Sequence, residues 1–140
     1  ALLEFYEAVA EEKGVTLHHF GDGAILGDRL MFRRALSNLL SNALRHSKNH
    51  SDVTIDISDT AQAVIVTVEN TGEDIDPQII PRLFDRFYRA DPSRLHPQSD
   101  GAGLGLSITR AIAQAHGGRV TVESGAGRTK FSLEFPSRLL

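Results

Sequence analysis

Two asparagines, Asn38 and Asn42, lie four residues apart in a segment with the pattern of a helix, "FRRALSNLLSNALRHS". Asparagine is a poor residue for a helix interior, because its side chain competes for backbone hydrogen bonds. At about 100° per residue, Arg34 and Arg45 fall on the same face as the asparagines, opposite a face of leucines. A neutral amide oxygen suits a hydrated Mg²⁺, and guanidinium groups suit phosphate oxygens. The helix alone indicates either such a site or a solvated outer face.

Three glycines at alternate positions, Gly101, Gly103 and Gly105, precede a second helical pattern. Glycine lets the backbone approach a ligand closely, and a helix N-terminus presents N–H groups to an anion. The segment matches neither G-x-x-x-x-G-K-[ST] nor G-x-G-x-x-G, so the two commonest phosphate-binding motifs are excluded. Arg89 and Arg94, in the preceding loop, could close on a bound phosphate. The alternative is a flexible loop that ends where a helix starts.

A third candidate segment, "VENTGEDIDP", leaves a predicted strand at Asn70 and turns at Gly72. A side-chain amide at a strand end can hydrogen-bond the edge of a base, and a glycine would leave room for a flat ring. Taken alone, the segment favours the alternative, an ordinary turn between a strand and a helix.

Composition excludes several classes of function. The 140 residues suit one domain, and a net charge of −3 gives no sign of a nucleic-acid or anionic-membrane partner. The absence of cysteine excludes disulfides and thiolate metal sites. No apolar run approaches the ~18 residues of a membrane-spanning helix. The six histidines show no metal-ligand spacing.

The elements that must position these residues alternate between helices and strand pairs. Apolar spacing predicts four helices, the second of them capped by Asp28, over residues 2–13, 29–46, 76–89 and 104–118. Alternating β-branched residues predict five strands, over residues 15–20, 51–59, 63–70, 119–124 and 129–136. Residues 90–103 are rich in Pro, Ser, Asp and Gly and predict a long loop. This order predicts an α+β fold, a two-layer α/β sandwich whose mixed, mostly antiparallel sheet carries helices on one face.

Five segments, in order, resemble the boxes of the catalytic ATP-binding domain of bacterial sensor histidine kinases. Those kinase domains belong to the GHKL superfamily, which also includes DNA gyrase, the heat-shock chaperone ATPases and the MutL-type repair proteins. The N, G1, F, G2 and last glycine–threonine boxes are matched by "NLLSNALRHS", "VENTGEDI", "LFDRFYR", "GAGLGLSI" and "SGAGRTKF". The resemblance covers nearly the whole chain. It implies a single domain over residues 1–140 with the Bergerat-type fold, in which residues 88–103 form the ATP lid.

The resemblance also implies roles for individual residues. Asn42 would be the Mg²⁺ ligand. Asn38 would orient the γ-phosphate or a bound water, and Arg45 would contact phosphate, so these two are the predicted catalytic residues. His46 stands at the aromatic position beside adenine or ribose. Asn70 stands in the place of the aspartate that accepts a hydrogen bond from the adenine amine.

The remaining predicted ATP-binding residues fall into two groups. The first would line the adenine slot and consists of Gly72, Ile75 and, at its back, Thr129. The second would surround the phosphates, with arginines from the lid and backbone amides as a cradle: Arg89, Arg94, Gly101, Gly103, Leu104, Gly105 and Leu106.

Two departures from the pattern of the family and its relatives matter. Where the G1 box commonly reads D-x-G-x-G, this chain has Asn70 followed by Thr71, Gly72, Glu73 and Asp74. Asn70 can still accept from the adenine amine but is uncharged, so we expect weakened affinity for adenine rather than lost binding. A G1 box with asparagine resembles the G1 box of the sensor kinases that respond to heavy metals, copper or silver.

The second departure concerns the relatives that hydrolyse ATP, which place a glutamate where this chain has Asn38. An amide cannot abstract a proton from water, so hydrolysis should be slow and ATP should remain for transfer.

The resemblance implies that Mg-ATP is bound, and that its γ-phosphoryl group passes to a histidine on a separate dimerisation and phosphoacceptor domain and then to a response regulator. No histidine here lies in a histidine-plus-acid phosphoacceptor pattern, so that domain is expected to be absent from the chain. The chain begins inside a predicted helix at Ala1. We therefore expect a monomeric cytoplasmic fragment of a homodimeric bacterial inner-membrane sensor. Two alternatives remain: part of an ATP-hydrolysing machine, or a non-catalytic nucleotide-sensing or interaction module with the same fold.

Overall fold

A computed structural model describes residues 2–23, 27–85 and 105–136. Within these ranges the helices are α1 (Leu2–Lys13), α2 (Arg29–His46) and α3 (Gly105–Ala115), with a 3₁₀ turn at Ile80–Arg82. The strands are β1 (Thr16–Phe20), β2 (Asp52–Asp59), β3 (Ala63–Thr71), β4 (Arg119–Gly125) and β5 (Arg128–Pro136). The two predicted N-terminal helices have the bounds expected from the sequence, and each predicted strand agrees to within one residue at each end.

The five described strands form one sheet in the order β1-β2-β3-β5-β4. Only β1 and β2 run parallel, and the other neighbours pair antiparallel. The predicted mixed, mostly antiparallel sheet is confirmed. β3 lies at its centre, and its last residues, Asn70 and Thr71, pair with Thr129 and Arg128 of β5.

The core lies between the helices and one face of this sheet. Burial alternates strictly along β3, because successive side chains of a strand point to opposite faces. The buried face of the sheet is apolar except near the end of β3, and includes Val53, Ile55, Val66, Val68, Phe131, Leu133 and Phe135. α2 packs the buried side chains of Ala35, Leu39, Leu40, Ala43 and Leu44 into the same cluster. The predicted two-layer α/β sandwich is confirmed.

α2 begins at the predicted N-cap. The Asp28 carboxylate accepts hydrogen bonds from the backbone N–H groups of Leu30, at 2.9 Å, and Met31, at 3.3 Å. These bonds satisfy donors that have no acceptor inside the helix. His116, at the end of α3, accepts a further bond on Nε2 from the Asp28 N–H, at 3.2 Å. The start of α2 is thereby tied to the helix packed beside it.

α2 ends where α1 reaches it. The Lys13 ammonium donates to the carbonyl oxygens of Leu44, at 2.6 Å, and Arg45, at 3.0 Å. A cation at this end also interacts favourably with the helix dipole. Burial lowers the pKa of Lys13. Ser47 then takes an extended conformation, and its hydroxyl donates back to the Ala43 carbonyl.

The helix predicted over residues 76–89 is wrong for its described part. Between 76 and 85 the chain forms turns and the short 3₁₀ segment at Ile80–Arg82. Pro81 has no N–H and its ring clashes with the preceding helical turn, so it prevents a continuous α-helix. Residues 86–89 lie outside the described ranges.

α3 ends at Ala115, three residues before the predicted limit. Gly117 has a φ of 74°, and the Gly118 N–H returns to the Ala113 carbonyl at 2.8 Å. Glycine accepts this left-handed conformation without steric cost, so the pair closes the helix. Across the described parts of the chain, no helix is long and apolar enough to cross a membrane.

Candidate functional site

The polar stripe of α2 is not a uniformly solvated face. Arg34 and Arg45 are exposed and Asn38 is half-buried, but Asn42 is only 9% exposed. A solvated face would leave Asn42 open to water. The alternative, a solvated outer face, therefore does not hold for Asn42, the residue predicted to bind the metal.

Asn38 connects α2 to the start of α3. Its Nδ2 donates to the Gly105 carbonyl, at 3.0 Å, and to Thr109 Oγ1, at 3.2 Å. The Thr109 hydroxyl itself donates to the Gly105 carbonyl, at 2.9 Å. Thr109 is fully buried, so its own bond to Gly105 is protected from water. Asn38 thus fixes the helix start that follows the glycine segment, and its contact with phosphate or water stays a prediction.

Asn42 offers one neutral oxygen beside a cation. Its Oδ1 accepts a long hydrogen bond of 3.4 Å from the Arg45 guanidinium. The described residues contain no group of three or more His, Cys, Asp or Glu side chains that could enclose a metal. One amide oxygen nevertheless fits Mg²⁺, which keeps several waters and takes the rest of its ligands from phosphate oxygens. The Asn42 oxygen therefore fits the single protein ligand that a hydrated Mg²⁺ can take.

Asn70 is almost buried at the end of the central strand, with 3% of its surface exposed. Its amide makes no hydrogen bond to any other group in the described parts of the chain, although nearly all buried polar groups have a partner. No fully buried side-chain nitrogen or oxygen in those parts lacks a partner, so the Asn70 polar atoms must keep some access to the surface. A nearly buried amide with narrow access is suited to hydrogen-bond a ligand.

Gly72 lets the end of α2 approach the end of β3. A Cβ at this position would lie 2.3 Å from the His46 carbonyl oxygen, so no side chain fits. The Lys48 N–H donates to the Thr71 carbonyl at 3.0 Å, which joins the same two segments. The sequence suggested that this glycine leaves room for a flat ring. In the direction of a Cβ that space is taken by the α2 backbone, and the contact of Gly72 with a ligand stays a prediction.

Ser124 is a site residue that sequence reasoning missed. Its hydroxyl accepts a hydrogen bond from the Ile75 N–H at 2.8 Å and lies 2.8 Å from Thr129 Oγ1. Ser124 and Thr129 are register partners across β4 and β5, so only the strand pairing brings them together. The turn after Gly72 is therefore held by the β4–β5 hairpin.

Asp74 occupies the position where the family pattern has its second glycine. Its carboxylate accepts from the Gly127 N–H at 2.8 Å, and the Gly127 carbonyl accepts from the Gly72 N–H at 2.9 Å. The departure from the pattern thus adds another bond between this turn and the hairpin.

The predicted residues that the structure describes form two groups. One lies along α2 and the start of α3 and contains Asn38, Asn42, Arg45, His46, Gly105 and Leu106. The other lies where β3 and β5 pair and contains Asn70, Gly72, Ile75 and Thr129. The groups meet where the His46 carbonyl approaches Gly72. The predicted lid, residues 88–103, lies outside the described residues, as do Arg89, Arg94, Gly101, Gly103 and Leu104.

Comparison with known proteins places the chain in a family. Residues 27–139 match the family model described as histidine kinase-, DNA gyrase B- and HSP90-like ATPase. The chain is 47% identical over 137 residues to the sensor histidine kinase CusS of Escherichia coli strain K12, covering 97% of this chain and 28% of CusS. It therefore spans little more than a quarter of that relative.

Solved structures agree with this placement. The catalytic domain of histidine kinase ThkA, in a nucleotide-free form, has a TM-score of 0.79 and 26% identity, with 96% of this chain and 91% of that one covered. Full-length ShkA in complex with AMPPNP also has a TM-score of 0.79, with 29% identity over 96% of this chain and 28% of that one. The chain belongs to the family of histidine kinase-, DNA gyrase B- and HSP90-like ATPases, among the ATP-binding domains of sensor histidine kinases.

Proposed function

We propose that this domain binds Mg-ATP and donates the γ-phosphoryl group to a histidine on a separate dimerisation and phosphoacceptor domain. The observation that carries the proposal is the buried amide of Asn42 beside Arg45, on a helix that Asn38 ties to the start of α3. A metal ligand, a phosphate-binding cation and a helix N-terminus would then surround one phosphate chain.

At the phosphate end, Asn42 would hold Mg²⁺ through its amide oxygen, and Arg45 would turn from that oxygen to a phosphate. Bound Mg²⁺ would neutralise the charge of the β- and γ-phosphates during transfer. Asn38 and Arg45 remain the proposed catalytic residues. The start of α3, at Gly105 and Leu106, would present backbone N–H groups to the phosphates.

The lid would supply the remaining phosphate contacts. We keep Arg89 and Arg94 as its proposed arginines, and the backbone of Gly101, Gly103 and Leu104 as part of the phosphate cradle.

At the base end, Asn70 would hydrogen-bond the edge of adenine. Ile75 is half-buried and could pack on the ring, with Gly72 and Thr129 lining the slot. His46 lies where α2 ends, beside this turn, and would contact adenine or ribose. The support for this arrangement is that Asn70 and Thr129 are adjacent across two strands and both nearly buried.

Transfer to histidine is favoured over hydrolysis by the chemistry at position 38. A general base must take a proton from water, and the Asn38 amide cannot do so. Its nitrogen is also committed to Gly105 and Thr109. Phosphoryl transfer needs positioning and charge neutralisation more than a covalent contribution from the domain.

The whole protein would extend well beyond this chain. The identity with CusS supports a sensor of the heavy-metal-responsive group, with copper or silver as the proposed stimulus. We propose that it is a homodimeric inner-membrane protein whose cytoplasmic part includes this domain, and that the phosphohistidine passes its phosphoryl group to a response regulator. The isolated domain would be a monomer without a nucleic-acid partner.

Binding of a fluorescent ATP analogue tests the nucleotide site directly. The chain and its Asn42→Ala variant are each titrated in Mg²⁺ and in EDTA. We expect Mg²⁺ to strengthen binding to the original chain and to have little effect on the variant, because the amide oxygen is gone. An Asn49→Ala variant, changed at an exposed loop residue, serves as the control and should behave as the original.

Phosphotransfer tests the reaction. With ATP labelled on the γ-phosphate, the label should move to a separately supplied histidine domain, and the chain alone should release little phosphate. Binding without transfer would favour the non-catalytic module, whose sequence support is Asn70 in place of aspartate. Steady phosphate release by the chain alone would favour the hydrolysing machine.

A further inference from the structure

An asparagine at position 70 can offer a base more than a carboxylate can. A carboxylate only accepts hydrogen bonds, whereas an amide carries an acceptor oxygen and a donor NH₂ group. We propose that the pocket binds 6-oxopurine nucleoside triphosphates, of the inosine type, nearly as well as ATP. This inference rests on the proposed function, because it requires that Asn70 contacts the base.

The Asn70 amide is not fixed in one orientation by its surroundings. It is 3% exposed, yet in the described parts of the chain its side chain makes no hydrogen bond. The oxygen and nitrogen of an amide have nearly the same shape, so a half-turn of the group exchanges them with little steric change. Either end can therefore face a ligand.

Thr129, the cross-strand neighbour of Asn70, can likewise either donate or accept a hydrogen bond. It is 5% exposed, and its hydroxyl lies 2.8 Å from that of Ser124, where either atom can donate. The Ser124 oxygen already accepts from the Ile75 N–H, which leaves its own hydrogen free to point toward or away from Thr129. The pair can reverse direction, so Thr129 can present either a hydrogen or a lone pair to a base.

The neighbouring carboxylates do not impose a fixed polarity on this end of the strand. Glu69 points to the opposite face of β3 and pairs with Arg128 at 3.2 Å. Asp74 accepts a hydrogen bond from the Gly127 N–H at 2.8 Å. The polar side chains that the paired ends of β3 and β5 present to the proposed base position, Asn70 and Thr129, are thus neutral and can each donate or accept.

Adenine and a 6-oxopurine present the same outline with opposite hydrogen-bond polarity. Adenine has a donor amine at position 6 and an acceptor at N1, whereas the 6-oxopurine has an acceptor carbonyl and a donor N–H. A carboxylate placed against position 6 accepts a hydrogen bond from the adenine amine but repels the carbonyl oxygen of a 6-oxopurine. An amide that turns over can pair with both.

The affinities of Mg-ATP and Mg-ITP for the 140-residue chain test the inference, because the two nucleotides differ only at this edge. We expect the dissociation constants to differ by less than tenfold. In Asn70→Asp, ITP should weaken relative to ATP by a further factor of roughly 10 to 100, the size of one mismatched base contact. Asn49→Asp, which makes the same chemical change at an exposed position, should keep the original ratio.

Each outcome of these measurements supports or overturns a specific claim. A difference of tenfold or more in the original chain overturns the inference, whether or not Asn70→Asp folds. A small difference that persists in a folded Asn70→Asp, checked by circular dichroism, overturns the assignment to Asn70. Failure to bind ATP at all would defeat the proposed function, whereas ATP binding with rejection of ITP defeats this inference alone.

Discussion

At the scale of single residues, close backbone approach decides more of this site than side-chain chemistry does. Gly72 lies where the end of α2 meets the end of β3, and its missing side chain is replaced by the His46 carbonyl. Gly72 does not have a positive φ, so its backbone is not in the left-handed region that favours glycine. What requires a glycine at position 72 is therefore the close contact with the His46 carbonyl and not the backbone conformation.

Gly72→Ala should lower the free energy of unfolding by about 1–3 kcal/mol, because the His46 carbonyl must move away from the new methyl group. Urea denaturation measures this change. Gly125→Ala is the matched control, since a Cβ there would meet nothing within 4 Å, and its effect should stay within about 0.5 kcal/mol. Equal stability of the two variants would mean that α2 and β3 can separate at this point without cost.

The sequence singles out some of these residues and not others. Asn70 stands out because a polar side chain ends an apolar alternation, and Asn38 and Asn42 because amides are costly inside a helix. Ser124 gives no such signal. Its role depends on pairing with Thr129 across a hairpin and on the position of the turn at Ile75, which no local pattern contains.

At the scale of elements, α1 supports the end of α2 that carries the proposed phosphate-binding residues. Lys13, the last residue of α1, donates to the carbonyls of Leu44 and Arg45. The last carbonyls of a helix have no partner within it, and a lysine that binds two of them both caps the helix and complements its dipole. The position of Arg45 thus depends on a helix that contains none of the proposed ATP-binding residues.

Lys13→Met keeps the apolar stem and removes the cap, so it should lower the free energy of unfolding by about 0.5–1 kcal/mol at neutral pH. Thermal and urea denaturation measure this change. Lys48→Met, at an exposed lysine in the following loop, is the control and should have a smaller effect.

The free energy of unfolding should also depend on pH through the protonation of Lys13. Burial lowers the pKa of Lys13 from 10.5. The unfolded chain therefore holds this proton more tightly than the folded chain does, and the free energy of unfolding should rise as the pH approaches 10.5 and level off above it. Lys13→Met should lack this part of the rise, and an identical pH profile in both proteins would contradict the assignment.

Element prediction from the sequence succeeded where periodicity was regular and failed at a proline. α1, α2 and the strands follow from the spacing of apolar residues, and the cap of α2 follows from Asp28. The region after residue 75 has enough apolar residues to resemble a helix, but Pro81 and the Asp76 side chain, which accepts from the Gln78 N–H at 2.9 Å, favour turns.

At the scale of the whole molecule, the site forms where the two layers meet around the central strand. The end of β3 and the start of β5 carry the proposed base-facing residues, and the helix layer carries Asn38, Asn42 and Arg45. The sequence predicts the α+β class because helices and strand pairs alternate along it. It does not predict that the turn after Gly72 is bonded to the β4–β5 hairpin, because that contact joins segments distant in sequence.

Hydrogen exchange should follow the order of strands in the sheet. Amides of β2, β3 and β5 should exchange slowest, since each of these strands has a partner on both sides, and those of β1 should exchange fastest because it is a short edge strand. Mass spectrometry of peptides after exchange measures this. Faster exchange in β3 than in β1 would contradict the strand order.

The parallel pairing of β1 with β2 also bears on the order in which the molecule folds. β2 with β3, and β4 with β5, are antiparallel neighbours joined by short turns, whereas β1 reaches β2 only after α2 has crossed over the sheet. Closing the longer loop costs more chain entropy. We therefore expect β1 to dock late, so that substitutions in it accelerate unfolding and leave the rate of folding nearly unchanged, which φ-value measurements would detect.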